Sequence, residues 1–447
     1  MPLSGLEIYK HLPKGNCKEC GLPTCLAFAM KVASGQTTLE ECPRLDEKAK
    51  AALGEASAPP QQLVNIGAGD RAFAIGQEAV LYRHEDKFYH PTAIGVCVSD
   101  HLSDEAIEGR CRDLAAISFD RMGKVSQLDL IAVFNVSGSA QRFAEAARKA
   151  AQSAKRPVAL ISGDPDTLRE AGRALAAERP LLWAMDAAGR IDDVVAVAKE
   201  LSLPLCLQGA GFDGVCSLTE KARAAGLKEL ILSPGNVTEA DGLEFLTQSR
   251  RAAIVKKFRP MGYPVAIQAM DEDRVRSTVA ACWYVLKYAG IVITDLTRPE
   301  QLLPIFATRQ DIYTNPQIPV QVTPGLHTIG EPGPDAPVLL TTNFALSYYS
   351  VESEIASSRI PAYVIAVDTE GTSVLTAWAA EKLTATTVSD ALNKNGIGQK
   401  VRHKKVIIPG LVAVLSGGIK DESGWEVLVG PREASGIVSF LKNQWKP

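Results

Sequence analysis

Cys17, Cys20, Cys25 and Cys42 stand near the start of a 447-residue chain, in the run Cys-Lys-Glu-Cys-Gly-Leu-Pro-Thr-Cys and then Cys42-Pro43. Four thiols in so short a segment point to a metal centre. Their uneven spacing suits a [4Fe–4S] cubane better than structural zinc, whose cysteine sites usually come as two closely spaced pairs. Gly21 and Pro23 shape a tight loop, and a proline after the last ligand recurs in cluster motifs. Spacing alone leaves zinc as the alternative. Cys97, Cys111, Cys206, Cys216 and Cys282 are scattered and odd in number. That pattern suits a reduced cytoplasm and disfavours disulfides, and these five read as small buried hydrophobes.

The remaining chemistry is sparser. The six histidines are dispersed, and HExxH, GxGxxG and P-loop patterns are absent. Net charge is −3 and the pI about 6.2, so no basic surface argues for nucleic acid. Met1-Pro2-Leu3-Ser4 does not open a signal peptide, and no apolar run approaches the ~18 residues of a membrane span. The expected setting is the cytoplasm, with no membrane contact.

The elements that must position these residues fall into successive stretches. Ser4-Gly5-Leu6-Glu7 reads as a capping box opening a short helix, and Leu26 to Ala33 as a second helix ended at Gly35. This unit, residues 1–57, has little core of its own, so its metal is expected to supply much of its folding energy. Residues 54–62, rich in turn and extended formers, read as a linker. The stretch 58–92 completes that connection and adds extended segments forming a hairpin that closes the bottom of the next domain. From 93 to 325, short β-branched runs alternate with alanine-rich helical stretches. Candidate strands lie at 92–98, 129–135, 157–162, 181–185, 204–208, 229–233, 263–267 and 290–294. Eight β/α repeats predict a TIM barrel, with a doubly wound sheet as the alternative. Asp100, Asn135, Asp164, Asp186, Gln208, Asn236, Gln268, Asp271 and Asp295 follow its strands. They are either catalytic positions or ordinary helix caps.

Prolines and glycines concentrate over 316–337, which reads as a second hinge, and the α/β pattern restarts over 326–447. Strands at Val338–Asn343, Ala362–Asp368, Lys405–Leu411 and Trp425–Gly430 predict an open parallel sheet of Rossmann-like type, with ligands expected beyond its carboxyl ends. Small residues recur there: Gly371 before Thr372 and Ser373, then Gly417-Gly418. They either seat a broad, flat group or serve the turns alone.

The cysteine run, barrel and C-terminal α/β domain, in this order, resemble the large subunits of corrinoid iron–sulfur proteins of the acetyl-CoA (Wood–Ljungdahl) pathway. The resemblance covers the whole chain, from Leu3-Ser-Gly-Leu-Glu-Ile-Tyr-Lys-His-Leu-Pro13 through the four cysteines to Gly430-Pro431-Arg432. It implies a methyl carrier without catalytic residues of its own. A cobamide takes a methyl group from methyltetrahydrofolate through a separate methyltransferase. It passes the methyl to the nickel site of acetyl-CoA synthase in the carbon monoxide dehydrogenase complex. It also implies a small-subunit partner, and a cluster on Cys17, Cys20, Cys25 and Cys42 that reduces Co(II) to Co(I).

By resemblance, and not by spacing, the cobamide contacts project onto Leu340, Thr342 and Leu346, and onto Glu370, Gly371, Thr372, Ser373 and Val374. Gly417, Pro431 and Gly436 complete the set. One departure concerns cobalt ligation. Methionine-synthase-like domains bind cobalt through the histidine of Asp-x-His-x-x-Gly. Here the nearest pattern, Gly325-Leu-His327-Thr-Ile-Gly330, has Gly for Asp and precedes the first expected strand, so His327 is not expected to bind cobalt. Two other functions remain open: an electron-transfer subunit whose barrel is scaffold, and a pterin-dependent methyltransferase using its own barrel.

Overall fold

The computed structural model describes residues 5–33, 37, 41–46 and 59–447. Ser4 of the expected capping box, the expected helix stop at Gly35 and linker residues 54–58 lie outside them. The described chain divides into two compact units, one up to Ser118 and over Gln127–Tyr313, the other over Phe119–Ser126 and Thr314–Pro447.

In the first unit, helices Gly5–His11 and Cys25–Ala33 gather a small core of Ile8, Leu12, Phe28, Ala29, Cys42 and Leu45. Beyond it, β1 (Leu63–Ile66) and β2 (Phe73–Gly76) pair antiparallel around a turn at Gly67–Asp70. The remaining stretch up to residue 92, where a second extended segment was expected, contains no strand. The chain then runs through β3 (Ala93–Ser99), a short hairpin of β4 (Ser118–Arg121) and β5 (Lys124–Gln127), and β6 (Leu130–Phe134). The rest of the barrel is β7 (Val158–Ser162), β8 (Leu181–Ala184), β9 (Leu205–Gln208), β10 (Leu230–Ser233), β11 (Ala266–Ala269) and β12 (Ile291–Thr294).

Strands β3 and β6 to β12 are parallel, each beside its predecessor, and β12 returns to β3. Bridges Leu232 to Val265 and Asn236 to Gln268 join β10 to β11 and close the ring. Helices between successive strands make it the expected (β/α)8 barrel. Its interior holds alternate residues of each strand, such as Ala132, Ile161, Trp183, Cys206 and Ile293. Val64, Ile66 and Ile75 of the β1–β2 hairpin join that core, all fully buried. Gly67 and Gly76 abut Pro157 and Pro264, which precede β7 and β11, so the hairpin plugs the amino-terminal end.

The second unit is a five-stranded sheet in the order β13-β15-β14-β16-β17: β13 (Gly325–Ile329), β14 (Val338–Thr342), β15 (Ala362–Val367), β16 (Lys405–Ile408) and β17 (Glu426–Val429). Two features depart from the expected parallel sheet with a hinge over 316–337. Residues 325–329 form an edge strand antiparallel to β15. Val322 N–H donates to Asn343 O, and Ala345 N–H to Val320 O. Backbone pairing thus ties parts of the proline-rich stretch to the sheet unit. The expected barrel boundary at 325 lies inside this unit, and the division falls at Tyr313–Thr314. Residues 119–126, inside the stretch expected to be barrel, also belong here and carry the β4–β5 turn, which the sequence reading did not foresee: Met122 packs with Tyr348 and Tyr349.

Alternation along the strands separates two layers. Leu340, Ile365, Val406 and Ile408 face the helices Val374–Ala379, Ala385–Lys394 and Ser416–Ser423. Leu339, Val364 and Ile407 face Ala345–Ser358 and Ile437–Asn443. Among the described residues no helix is long and apolar enough to cross a membrane.

Candidate cofactor sites

The cysteine loop is shaped by its backbone before any metal is considered. Lys14, Asn16 and Lys18 take φ of 58°, 45° and 65°, and Gly21 follows at 74°. Left-handed residues at alternate positions turn successive N–H groups toward a shared concavity, a form found around anionic clusters. Gly21 N–H closes a turn on Lys18 O at 2.9 Å, with Cys20 inside it. Asn16 Oδ1 accepts from Cys25 N–H at 2.8 Å, and Thr24 Oγ1 from Ala27 N–H at 3.1 Å, so the helix bearing Cys25 starts from the loop itself. Cys42 is buried, while Cys17, Cys20 and Cys25 are half-buried. Cys20 and Cys25 pack against the core that contains Cys42.

Arg44 links the two cysteine-bearing segments through an ion pair with Glu19. Its guanidinium is held above its usual pKa first by that carboxylate, with smaller contributions from Cys17 and Cys42. A cation there offsets the charge that four thiolates would bring. Among the described residues, no three His, Cys, Asp or Glu side chains converge closely enough to hold a single ion. Thiol chemistry, backbone concavity and a nearby cation nevertheless suit an iron–sulfur cluster.

In the second unit the carboxyl ends of the strands form a rim. Asn343, fully buried after β14, organises it. Its Oδ1 accepts from Thr369 N–H at 3.0 Å, Thr369 Oγ1 at 3.1 Å and Gly371 N–H at 3.0 Å. Its Nδ2 donates to Gln321 Oε1 at 3.1 Å and Asp368 Oδ1 at 3.3 Å. Glu370 and Gly371 are both left-handed, at φ 55° and 72°, in a turn closed by Thr372 N–H to Thr369 O. A Cβ at Gly371 would also collide with Gln321. Asn343 was not among the residues singled out by resemblance. The signal for it was an amide side chain at the carboxyl end of the expected strand Val338–Asn343.

A cavity of about 220 Å³ lies beside this rim, between Ala345–Ser358 and Ile437–Asn443. Leu340, Leu346, Val374 and Pro431 line it, with Arg432 from the expected strand-end loop Gly430-Pro431-Arg432, together with Ser347, Ser350, Pro409 and Leu411, which the sequence alone did not point to. Thr342 is fully buried at the end of β14, and its Oγ1 lacks a hydrogen-bond partner. Glu370 turns to Lys382 in an ion pair, Thr372 Oγ1 donates to Thr369 O at 2.8 Å, and Ser373 Oγ meets Thr376 Oγ1 at 2.9 Å. Gly417 lies in the first turn of Ser416–Ser423 with nothing near its Cβ position, and neighbouring Gly418 packs on Ala385. Gly436 fits against Pro431, where a Cβ would fall 2.7 Å from the ring.

Leu346, Leu375, Trp378 and Val414, on the segments after β14, β15 and β16, are 59%, 47%, 43% and 71% exposed. Exposed apolar side chains after successive strands, a cavity lined by both apolar and polar groups, and one orphaned hydroxyl suit a broad ring carrying a flat appendage. His327 is elsewhere. It sits mid-strand in β13, its Nε2 2.8 Å from Thr323 O and its ring against Tyr348.

Most polar strand-end residues of the barrel act as caps and braces. Asp100 accepts from Val136 N–H and Ser137 N–H at 2.8 and 2.9 Å. Asp164 caps Pro165–Ala174 and pairs with Arg190 at 2.7 Å.

A family model described as CO dehydrogenase/acetyl-CoA synthase delta subunit matches residues 63–441, and one described as a putative Fe-S cluster matches residues 12–44. The chain is 43% identical over 442 residues to the corrinoid/iron-sulfur protein large subunit of Moorella thermoacetica, covering 99% of each. It is 35% identical over 466 residues to the acetyl-CoA decarbonylase/synthase complex subunit gamma of Archaeoglobus fulgidus, and 34% over 454 residues to that of Methanothermobacter thermautotrophicus. Each of these matches covers 99% of both chains. With the cysteine loop, the closed barrel and the C-terminal sheet all inside that full-length match, the chain belongs to the family of corrinoid/iron–sulfur protein large subunits of the acetyl-CoA pathway.

Proposed function

We propose that this chain is the methyl-carrying component of a cytoplasmic acetyl-CoA-forming system. It carries a [4Fe–4S] cluster on Cys17, Cys20, Cys25 and Cys42 and a cobamide on the rim of the second unit's sheet. Its partners are a small subunit, a methyltetrahydrofolate methyltransferase and carbon monoxide dehydrogenase/acetyl-CoA synthase. When bound, the cobamide supplies a cobalt that takes a methyl group delivered by the methyltransferase and yields it to the nickel site of the synthase, while the cluster supplies the electron that restores oxidised cobalt. The observation that carries this reading is the run of exposed apolar side chains after successive strands, Leu346, Leu375, Trp378 and Val414, of which Leu346 also lines the 220 Å³ cavity.

The protein's part is seating and access. Leu340, Leu346 and Val374 offer an apolar floor, and Ser347, Ser350 and Arg432 offer polar groups for a nucleotide tail. Thr342 has a free hydroxyl to give, and Asn343 fixes the loop bearing Glu370, Gly371, Thr372 and Ser373. Gly417 and Gly436 leave the neighbouring segments without side chains. No histidine is assigned to cobalt. The cluster unit over 1–57, with its connection over 58–92, is treated as separable from the barrel that begins at 93 and from the sheet unit over 326–447, to which β13 adds.

The test is the absorption spectrum and reactivation of anaerobically purified complex. Corrinoid and cluster bands together support the carrier, and cluster bands alone would indicate an electron-transfer subunit. Methyl transfer from free methyltetrahydrofolate by the isolated chain would indicate a methyltransferase. The Cys20→Ala complex, pre-reduced chemically, should still accept one methyl group, yet lose reactivation by a physiological electron donor. Reactivation at the parent rate would remove the cluster from the role given to it.

A further inference from the structure

The barrel interior ends, toward the carboxyl ends of its strands, in a layer unlike the apolar layers beneath it. Side chains alternate along a strand, and Cys206, Ala266 and Ile293 point inward. Two residues further along the same faces stand Gln208, Gln268 and Asp295, with Cys97, Phe134 and Met185 half-buried against the same core. Gln268 is 4% exposed, and its Nε2 has no hydrogen-bond partner. Asp295 Oδ1 is buried and equally unpartnered, although Arg274 pairs with Oδ2 of the same carboxylate. Gln208 is already used, its Oε1 accepting from Trp183 Nε1–H at 3.0 Å.

Register brings the two orphans to neighbouring positions. Gln268 on β11 is level with Ile293 on β12, so Asp295 stands one inward step nearer the mouth on the adjacent strand. One orphan is a neutral donor, the other an anionic acceptor. Buried groups of this kind impose a cost unless something completes them. A hydrocarbon would complete neither, an amine only the carboxylate, and a carboxylic acid would meet a like charge. A cyclic amide completes both.

We propose that the mouth of this barrel binds a small flat ring through a lactam edge, Gln268 Nε2 donating to the ring carbonyl and Asp295 Oδ1 accepting from the adjacent ring N–H. Phe134 and Met185 give the ring apolar surfaces to lie against. The Cys97 thiol stays protonated there, since burial, and next the charge of Asp295, push it up to about 11. Its residues are other than those of the cysteine loop and of the second unit's rim, and the binding proposed involves neither cofactor.

Lumazine, a fluorescent bicyclic ring with lactam edges, is the probe, titrated into the full-length protein. Saturable quenching is expected, with 1,3-dimethyllumazine, which lacks those N–H groups, at least tenfold weaker. Gln268→Leu and Asp295→Ala should each weaken lumazine by about tenfold or more, the loss of one buried hydrogen bond. Asp295→Ala should also erase the preference between the two rings. Equal affinity for both rings, or no saturation by either, would overturn the proposal on the unaltered protein even if a variant failed to fold. Unchanged lumazine affinity in both folded variants would overturn it too.

Discussion

The cysteine segment rests on Ile8, Leu12, Phe28, Ala29, Cys42 and Leu45, one of which is itself an expected ligand. The C-terminal sheet is covered on both faces, by a layer running from Val338 to Trp425 on one side and from Val322 to Leu441 on the other. Both regions are assigned a cofactor, and the difference tells how each must hold it. A segment with so little to bury has little to offset its own chain entropy, so ligation and folding are expected to be one event there. The sheet unit buries an apolar layer on each face, so a ligand on its rim would add to a fold that its own core already supports.

Removing the cluster ligands is therefore expected to give the largest effect. In Cys42→Ser, or after iron chelation, amide exchange over 5–46 should rise to the rate of an unfolded chain. The strands over 338–429 should keep their protection. A fall in protection of both regions together would mean that they fold as one. Retained protection over 5–46 without iron would show that the small core suffices.

Next in size is a cut into the preformed core. Trp425 is 4% exposed in the layer packed on Leu340 and Ile365. Trp425→Ala should cost about 3–5 kcal/mol in denaturant unfolding of the second unit, from lost burial and the cavity left behind. The cluster spectrum should not change. A loss under about 1 kcal/mol would contradict the claim that this unit stands on its apolar layers.

Asn343 lies between fold and function. Asn343→Ala leaves Thr369 N–H and Gly371 N–H without their acceptor in a buried site. About 1–3 kcal/mol of stability should be lost, with cobamide binding weakened further because the loop of Glu370 to Ser373 is no longer held. If thermal unfolding of the ligand-free variant matches the parent, the amide does not organise the rim.

The same contrast explains what could be read without a structure. The iron–sulfur segment was legible because cysteines carry their chemistry in their type: four at uneven spacing allow few metals, and the matching Fe-S family model spans residues 12–44. Barrel strands were legible because buried β-branched runs alternate with helical stretches, and all eight fell within a few residues of expectation. Strand β13 was hidden by the prolines and glycines around it, which favour turns locally but were overridden by pairing with β15. The β4–β5 hairpin was hidden because nothing in Ser118–Gln127 says which core Met122 will join. The rim was legible only as a place. Arg432 belongs to a strand-end loop that was expected, whereas Ser347 and Ser350 reach the cavity through the rotation of their helix, which leaves no sequence signature.

The smallest effect expected is also the most discriminating, because its sign should differ between ligand-free and loaded protein. Thr342 is fully buried at the end of β14, with Oγ1 unpartnered. Valine has nearly the same shape and no hydroxyl. In the ligand-free chain, Thr342→Val removes a buried polar group that gains nothing, so stability should hold or rise by about 1 kcal/mol. If the hydroxyl serves the cobamide, the loaded variant loses a hydrogen bond that the parent makes, and affinity should fall by about tenfold. Unfolding midpoints of free and cobamide-loaded protein, measured for parent and variant, close the cycle. A gain of equal size in both forms would mean that the cobamide never meets Thr342, leaving the binding role to Leu340 and Leu346 on the same strand end and helix.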